Sequence, residues 1–102
     1  MSVRFAGKSI QWRRDYNQDR ILFRTENDCF IAAVADGMGG YSGGEVASQI
    51  VMDLCERKFE LFASAPHPDA IERMILDIVG ESRETIRKKS EEKTELKSMG
   101  TT

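Results

Sequence analysis

Five of the eight residues that follow Asp36 are glycine, and no other stretch constrains the chain as much. The segment reads Ala33-Val34-Ala35-Asp36-Gly37-Met38-Gly39-Gly40-Tyr41-Ser42-Gly43-Gly44-Glu45. An apolar run ends in a carboxylate and then sheds most of its side chains. Glycine permits positive φ and close backbone approach, so the chain turns sharply after Asp36 and offers its own carbonyls and amides to a ligand. A carboxylate fixed at a strand end, beside an exposable carbonyl, is a hard oxygen site suited to magnesium or manganese.

The order of strand, glycine loop and helix also holds nucleotides, but the residues do not match either phosphate loop. G-x-G-x-x-G beginning at Gly37 needs glycine where Ser42 stands, and the phosphate loop beginning at Gly39 offers Glu45 where lysine is required. A plain helix-entry turn with an incidental aspartate stays open on spacing alone. A second constellation, Arg13-Arg14-Asp15-Tyr16-Asn17-Gln18-Asp19, precedes the glycines. An arginine there can fork onto two phosphoryl oxygens, and Asp19 is placed to join Asp36 at a metal or to hold a water. Alone, such a pair is most often a solvent-screened surface contact; with the Asp36 segment it is specific.

Around these segments the pattern reads as α+β. Ile21-Leu22-Phe23 and Cys29 to Ala35 have strand character, and the turn-prone Thr25-Glu26-Asn27-Asp28 joins them as a hairpin. The nearly continuous apolar run from Phe30 to Ala35 predicts a strand covered on both faces. Val46, Ala47, Ile50, Val51, Leu54, Cys55 and Phe59 recur at helical steps and predict a first helix. Ser64-Ala65-Pro66-His67-Pro68-Asp69 ends it, because proline disfavours helix at the residue before it. Asp69 is well placed to start a second helix, striped by Ile71, Met74, Ile75, Ile78, Val79 and Ile86. From Arg87 to Lys97 the chain is nearly all charge, as in a solvated helix end or mobile loop. His67, between two prolines, reads as an exposed spacer.

Fifteen Lys and Arg against 17 Asp and Glu give a net charge of −2, which argues against a nucleic-acid module built on phosphate contacts. Cys29 and Cys55 lie outside zinc-finger spacing and read as free, buried thiols of a reducing compartment. No run approaches the roughly 20 apolar residues of a membrane span, and the N-terminus lacks a signal peptide's apolar stretch. A cytoplasmic protein without nucleic-acid or membrane partners is expected.

Taken together, these segments resemble the metal-dependent protein phosphatases of the PP2C (PPM) type, in particular the bacterial branch. Arg14-Asp15-Tyr16-Asn17-Gln18-Asp19 is similar to R-x-x-N-[EQ]-D. Val34 to Gly40, followed by Gly44-Glu45-Val46-Ala47-Ser48, resembles V-A-D-G-M-G-G...G-E-x-A-S, and Met99-Gly100-Thr101-Thr102 resembles the M-G-T-T that opens a central strand. The resemblance implies the N-terminal part of an α-β-β-α sandwich and a Ser/Thr phosphoprotein phosphatase, possessing two Mn or Mg ions that activate a shared water for in-line attack on phosphorus. It further implies a phosphorylated Ser/Thr protein as substrate and a Ser/Thr kinase system as counterpart.

Carried over by position, Asp36 bridges the two metals, the Gly37 carbonyl binds one of them, Arg14 holds the substrate phosphate, and Gln18 and Asp19 stand behind the ligands. Gln18 replaces the glutamate of many members and meets a metal-bound water with a neutral amide. Met38 stands where the eukaryotic branch has a histidine thought to protonate the leaving group, and methionine has no such proton. The family's remaining metal aspartates follow M-G-T-T, so residues 1–102 are expected to be one N-terminal portion of a single phosphatase domain. Such a portion holds half a metal site, binds Mn2+ or Mg2+ weakly if at all, and is by itself inactive. Apolar surface left without cover predicts self-association, and a relative that binds phosphoproteins through Arg14 without cleaving them is the further alternative.

Overall fold

Asn27 and Asp28 both adopt left-handed backbone angles, with φ of 50° and 62°. Short polar side chains tolerate that region, and a two-residue turn of this hand matches the twist of the strands it joins. The computed structural model describes residues 6–8, 17–39, 43–93 and 98–102. In it, β1 (Arg20–Glu26) and β2 (Cys29–Ala35) form the expected antiparallel hairpin, from Glu26 opposite Cys29 to Arg20 opposite Ala35. The Asn27 side-chain amide donates to the Ala63 carbonyl at 2.9 Å. The turn thereby satisfies one of the carbonyls left open at the end of the first helix.

Alternation along β2 turns Ile31, Ala33 and Ala35 toward the helices, whereas Phe30 and Val34 point away and are 50% and 70% exposed. Among the described residues the helices therefore cover one face of β2, which corrects the expectation of two covered faces. A continuous apolar run shows that a strand avoids water; it does not say what supplies each face with cover.

The first helix, α1 (Gly43–Ser64), buries Gly44, Ser48, Met52, Cys55, Phe59 and Ala63 at three- and four-residue steps, the period of a single helix face. The second, α2 (Ala70–Glu92), follows the proline-rich break. Asp69 occupies its N-cap position but makes no side-chain cap hydrogen bond. The exposed His67 does more than space the chain, because its Nδ1 accepts the Asp69 N–H at 3.1 Å. Of the expected stripe on α2, Ile78 is buried, while Ile71, Ile75 and Val79 are exposed. The charged stretch stays helical to Glu92; residues 94–97 lie outside the described residues.

Cross-links fix this layer. Arg24 on β1 pairs with Glu56 and Glu60 of α1, and Lys58 of α1 reaches Glu81 of α2 at 2.9 Å. Ala35, Met52, Cys55 and Ile78 make one core between hairpin and helices; Ala47 and Met99 centre a second, with Ile86 beside them. Cys55 is buried, but Cys29 is only half-buried, so the expectation of two buried thiols holds for one of them; both are free. Among the described residues, no helix is long and apolar enough to cross a membrane.

Two short strands complete the architecture: β3 (Gly37–Met38), just beyond Asp36, and β4 (Gly100–Thr101). They pair antiparallel, Gly37 opposite Thr101 and Met38 opposite Gly100. Helices and small antiparallel sheets of this kind are the α+β arrangement expected from the sequence.

Candidate functional site

Asp36 sits at the junction of β2 and β3 with its side chain exposed. Its backbone is held from the other end of the chain: its N–H donates to the Thr102 carbonyl at 2.7 Å, and its carbonyl accepts the Thr102 N–H at 2.9 Å. Thr101 Oγ1 adds a third bond, donating to the Asp36 carbonyl at 3.0 Å. Residues of an antiparallel ladder alternate between bonding across it and pointing outward. Because Asp36 and Thr102 exchange both bonds, the Gly37 carbonyl, one residue on, turns away from β4. An exposed carboxylate and a neighbouring carbonyl outside the ladder are thus presented by one short, fixed piece of backbone.

Gly37 has to be glycine. A Cβ at this position would lie 2.6 Å from both the Gln18 carbonyl and Ser48 Oγ, and closer still to the Gly44 carbonyl. Gly39 has φ of 143°, a value that other residues rarely adopt. The Gln18 side chain closes the same corner, its Nε2 donating to the Gly39 carbonyl at 2.9 Å. Ser48, fully buried on α1, donates to the Gln18 carbonyl at 2.7 Å and lies 3.3 Å from Thr101 Oγ1. Three distant stretches, around Gln18, Asp36 and Thr101, therefore meet on one helical serine.

Asp19 is half-buried. Its N–H donates to Asn17 Oδ1 at 3.1 Å and its carbonyl accepts from Arg20 at 2.8 Å. Met38 is 55% exposed on the strand beside Asp36. Arg14 lies outside the described residues, as do Gly40, Tyr41 and Ser42. Among the described residues, no three His, Cys, Asp or Glu side chains gather into a metal-ligating group. The donors on offer are the Asp36 carboxylate and the Gly37 carbonyl, both hard oxygens of the kind that binds Mg2+ or Mn2+ alongside retained waters. They fit such an ion.

The profile of one protein family, Protein phosphatase 2C, matches residues 6–102. The chain belongs to the protein phosphatase 2C family. A serine/threonine phosphatase, stp, from Listeria monocytogenes serotype 4b (strain F2365) is 31% identical over 90 residues, covering 87% of this chain and 36% of that protein. The chain spans about a third of the length of this relative. Within this protein phosphatase 2C chain, sequence reasoning singled out Asp36, Gly37, Gln18 and Asp19 but gave no role to Ser48, Thr101 or Thr102. Their letters stood in the recognised motifs; which atoms they hold is visible only once β4 lies beside β3.

Proposed function

We propose that this chain forms the N-terminal portion of a single protein phosphatase 2C domain. In that domain a phosphoserine or phosphothreonine ester of a protein is hydrolysed with the help of Mn2+ or Mg2+. The observation that carries the reading is the exposed Asp36 carboxylate, fixed through its backbone by Thr102, next to a Gly37 carbonyl outside the β-ladder. When bound, the ions lower the pKa of water and neutralise charge on the phosphoryl group. Asp36 and Gly37 supply oxygens to hold them, and Arg14 orients the phosphate by a two-pronged hydrogen bond. Gln18 braces the glycine turn through Gly39, and Asp19 stands behind it. Met38 has no proton to give, so the leaving serine or threonine oxygen takes its proton from elsewhere.

The test is hydrolysis of para-nitrophenyl phosphate and of a phosphothreonine peptide, with and without Mn2+, by this chain and by a longer form of the domain. Manganese-dependent turnover by the longer form, lost in Asp36→Asn, is the expected result, with residues 1–102 alone inactive. Turnover that ignores Mn2+ overturns the mechanism. Phosphopeptide binding that persists in Asp36→Asn but vanishes in Arg14→Ala instead marks a phosphoprotein-binding module without catalysis.

A second reading, self-association of this chain, is favoured by the exposed Ile71, Ile75 and Val79 on one side of α2. Contiguous apolar surface of this kind marks contact sites. Sedimentation equilibrium should show dimers or larger species at micromolar concentration, and a compact monomer removes this reading.

A further inference from the structure

Four groups meet at the root of the candidate site: the carbonyls of Gln18 and Asp36 and the hydroxyls of Ser48 and Thr101. The carbonyls only accept, and each hydroxyl carries one proton. Ser48 spends its proton on Gln18 at 2.7 Å, and Thr101 spends its own on Asp36 at 3.0 Å. The two hydroxyl oxygens, 3.3 Å apart, then touch with no proton left to share, and the proton count closes on the two shorter bonds. The Asp36 carbonyl belongs to the peptide plane that joins Asp36 to Gly37. Held there and at its N–H by Thr102, the Asp36 backbone is fixed on both sides of its Cα, which sets the direction in which the side chain leaves it; the Gly37 carbonyl lies in the next peptide plane, which the pairing of Met38 with Gly100 holds.

We propose that Thr101, backed by the buried hydroxyl of Ser48, is a positioning residue that holds the Asp36–Gly37 peptide plane, so that the Asp36 carboxylate is presented beside the Gly37 carbonyl to a divalent cation. The proposal rests on the metal reading given above and assigns to it two side chains that touch neither ion nor phosphate. Ser48, fully buried on α1, donates to the Gln18 carbonyl and sets its hydroxyl 3.3 Å from that of Thr101. Thr101, on β4, supplies the bond to the Asp36 carbonyl. Partners of this outer kind typically change metal affinity 10- to 100-fold when removed, although they bond no metal.

The experiment uses the 102-residue chain and four variants: Thr101→Val, which keeps the shape and loses the hydroxyl; Thr101→Ser, which keeps the hydroxyl; Asp36→Asn; and Ser82→Ala. Ser82 is a control, a buried serine on α2 whose Oγ has no hydrogen-bond partner among the described residues. In the metal-free chain, amide hydrogen exchange and nitrogen relaxation at Gly37 report the order of the peptide plane. Thr101→Val should speed exchange there several-fold while Thr101→Ser and Ser82→Ala leave it unchanged. Paramagnetic broadening during Mn2+ titration of the longer form of the domain, carrying the same substitutions, then reads affinity, which should fall about tenfold in Thr101→Val, recover in Thr101→Ser, hold in Ser82→Ala and fall furthest in Asp36→Asn. Gly37 exchange and Mn2+ affinity unchanged in Thr101→Val overturn the positioning role while leaving the metal reading intact. A longer form that shows no broadening near Asp36, or shows the same broadening in Asp36→Asn, overturns the metal reading itself.

Discussion

Asp36 and Thr102 exchange both of their backbone hydrogen bonds, at 2.7 and 2.9 Å. The residue that carries the carboxylate, at the end of β2, thus has its backbone held by one far along the sequence. The pairing continues as Gly37 opposite Thr101, and it is this register that turns the Gly37 carbonyl outward.

The crowding at Gly37 gives the first prediction. A methyl group there meets two carbonyls and the Ser48 hydroxyl, all held by backbone or by burial. Gly37→Ala should cost about 2–3 kcal/mol, the scale of overpacking a well-filled site. A urea denaturation midpoint unchanged from wild type refutes the close approach.

Gly80 behaves in the opposite way. It lies inside α2, and a Cβ there meets nothing within 4 Å. Gly80→Ala should raise stability by about 0.5–1 kcal/mol, the helix-propensity difference between the two residues, read as a higher thermal midpoint at the same protein concentration.

Asn27 combines a left-handed φ of 50° with a side-chain bond to the Ala63 carbonyl. Replacing it separates the two contributions. Asn27→Gly keeps the angle and loses the bond, costing about 1 kcal/mol; Asn27→Ala loses both and costs about 2 kcal/mol. Equal losses in the two variants mean that the backbone angle carries no strain for alanine.

Burial pushes the Cys55 thiol above its ordinary pKa of 9.0. The folded state therefore favours the protonated thiol. That contribution to stability is complete below about pH 9 and is lost as pH rises through the raised folded value. Urea unfolding from pH 7.5 to 10.5 should show a decline that is shallower in Cys55→Ala. Thiol reagents should modify the half-buried Cys29 well before Cys55.

Both helices, the hairpin and the break between the helices were legible in the residues, because each is dictated locally. Asn27-Asp28 accepts left-handed angles, the apolar residues of α1 recur at 3.6-residue spacing, and the prolines flanking His67 forbid helix before them. Asp36 stood out for a similar reason: a carboxylate followed by glycines is visible without knowing its neighbours. The bond from the Asp69 N–H to His67 Nδ1 was not legible, since it depends on the turn that the two prolines impose rather than on a residue pattern.

What the sequence determined by itself was the set of elements and the kind of oxygen donors at their junction. Only the tertiary structure decided that Ser48 and Thr101 grip the carbonyls behind Asp36, that Thr102 fixes the register at Gly37, and that one face of β2 and one side of α2 lie exposed. The physical reason is range. Backbone angles and helical or strand periods depend on residues a few positions apart, whereas hydrogen bonds between Gln18, Asp36, Ser48 and Thr101 exist only after distant stretches have packed against α1.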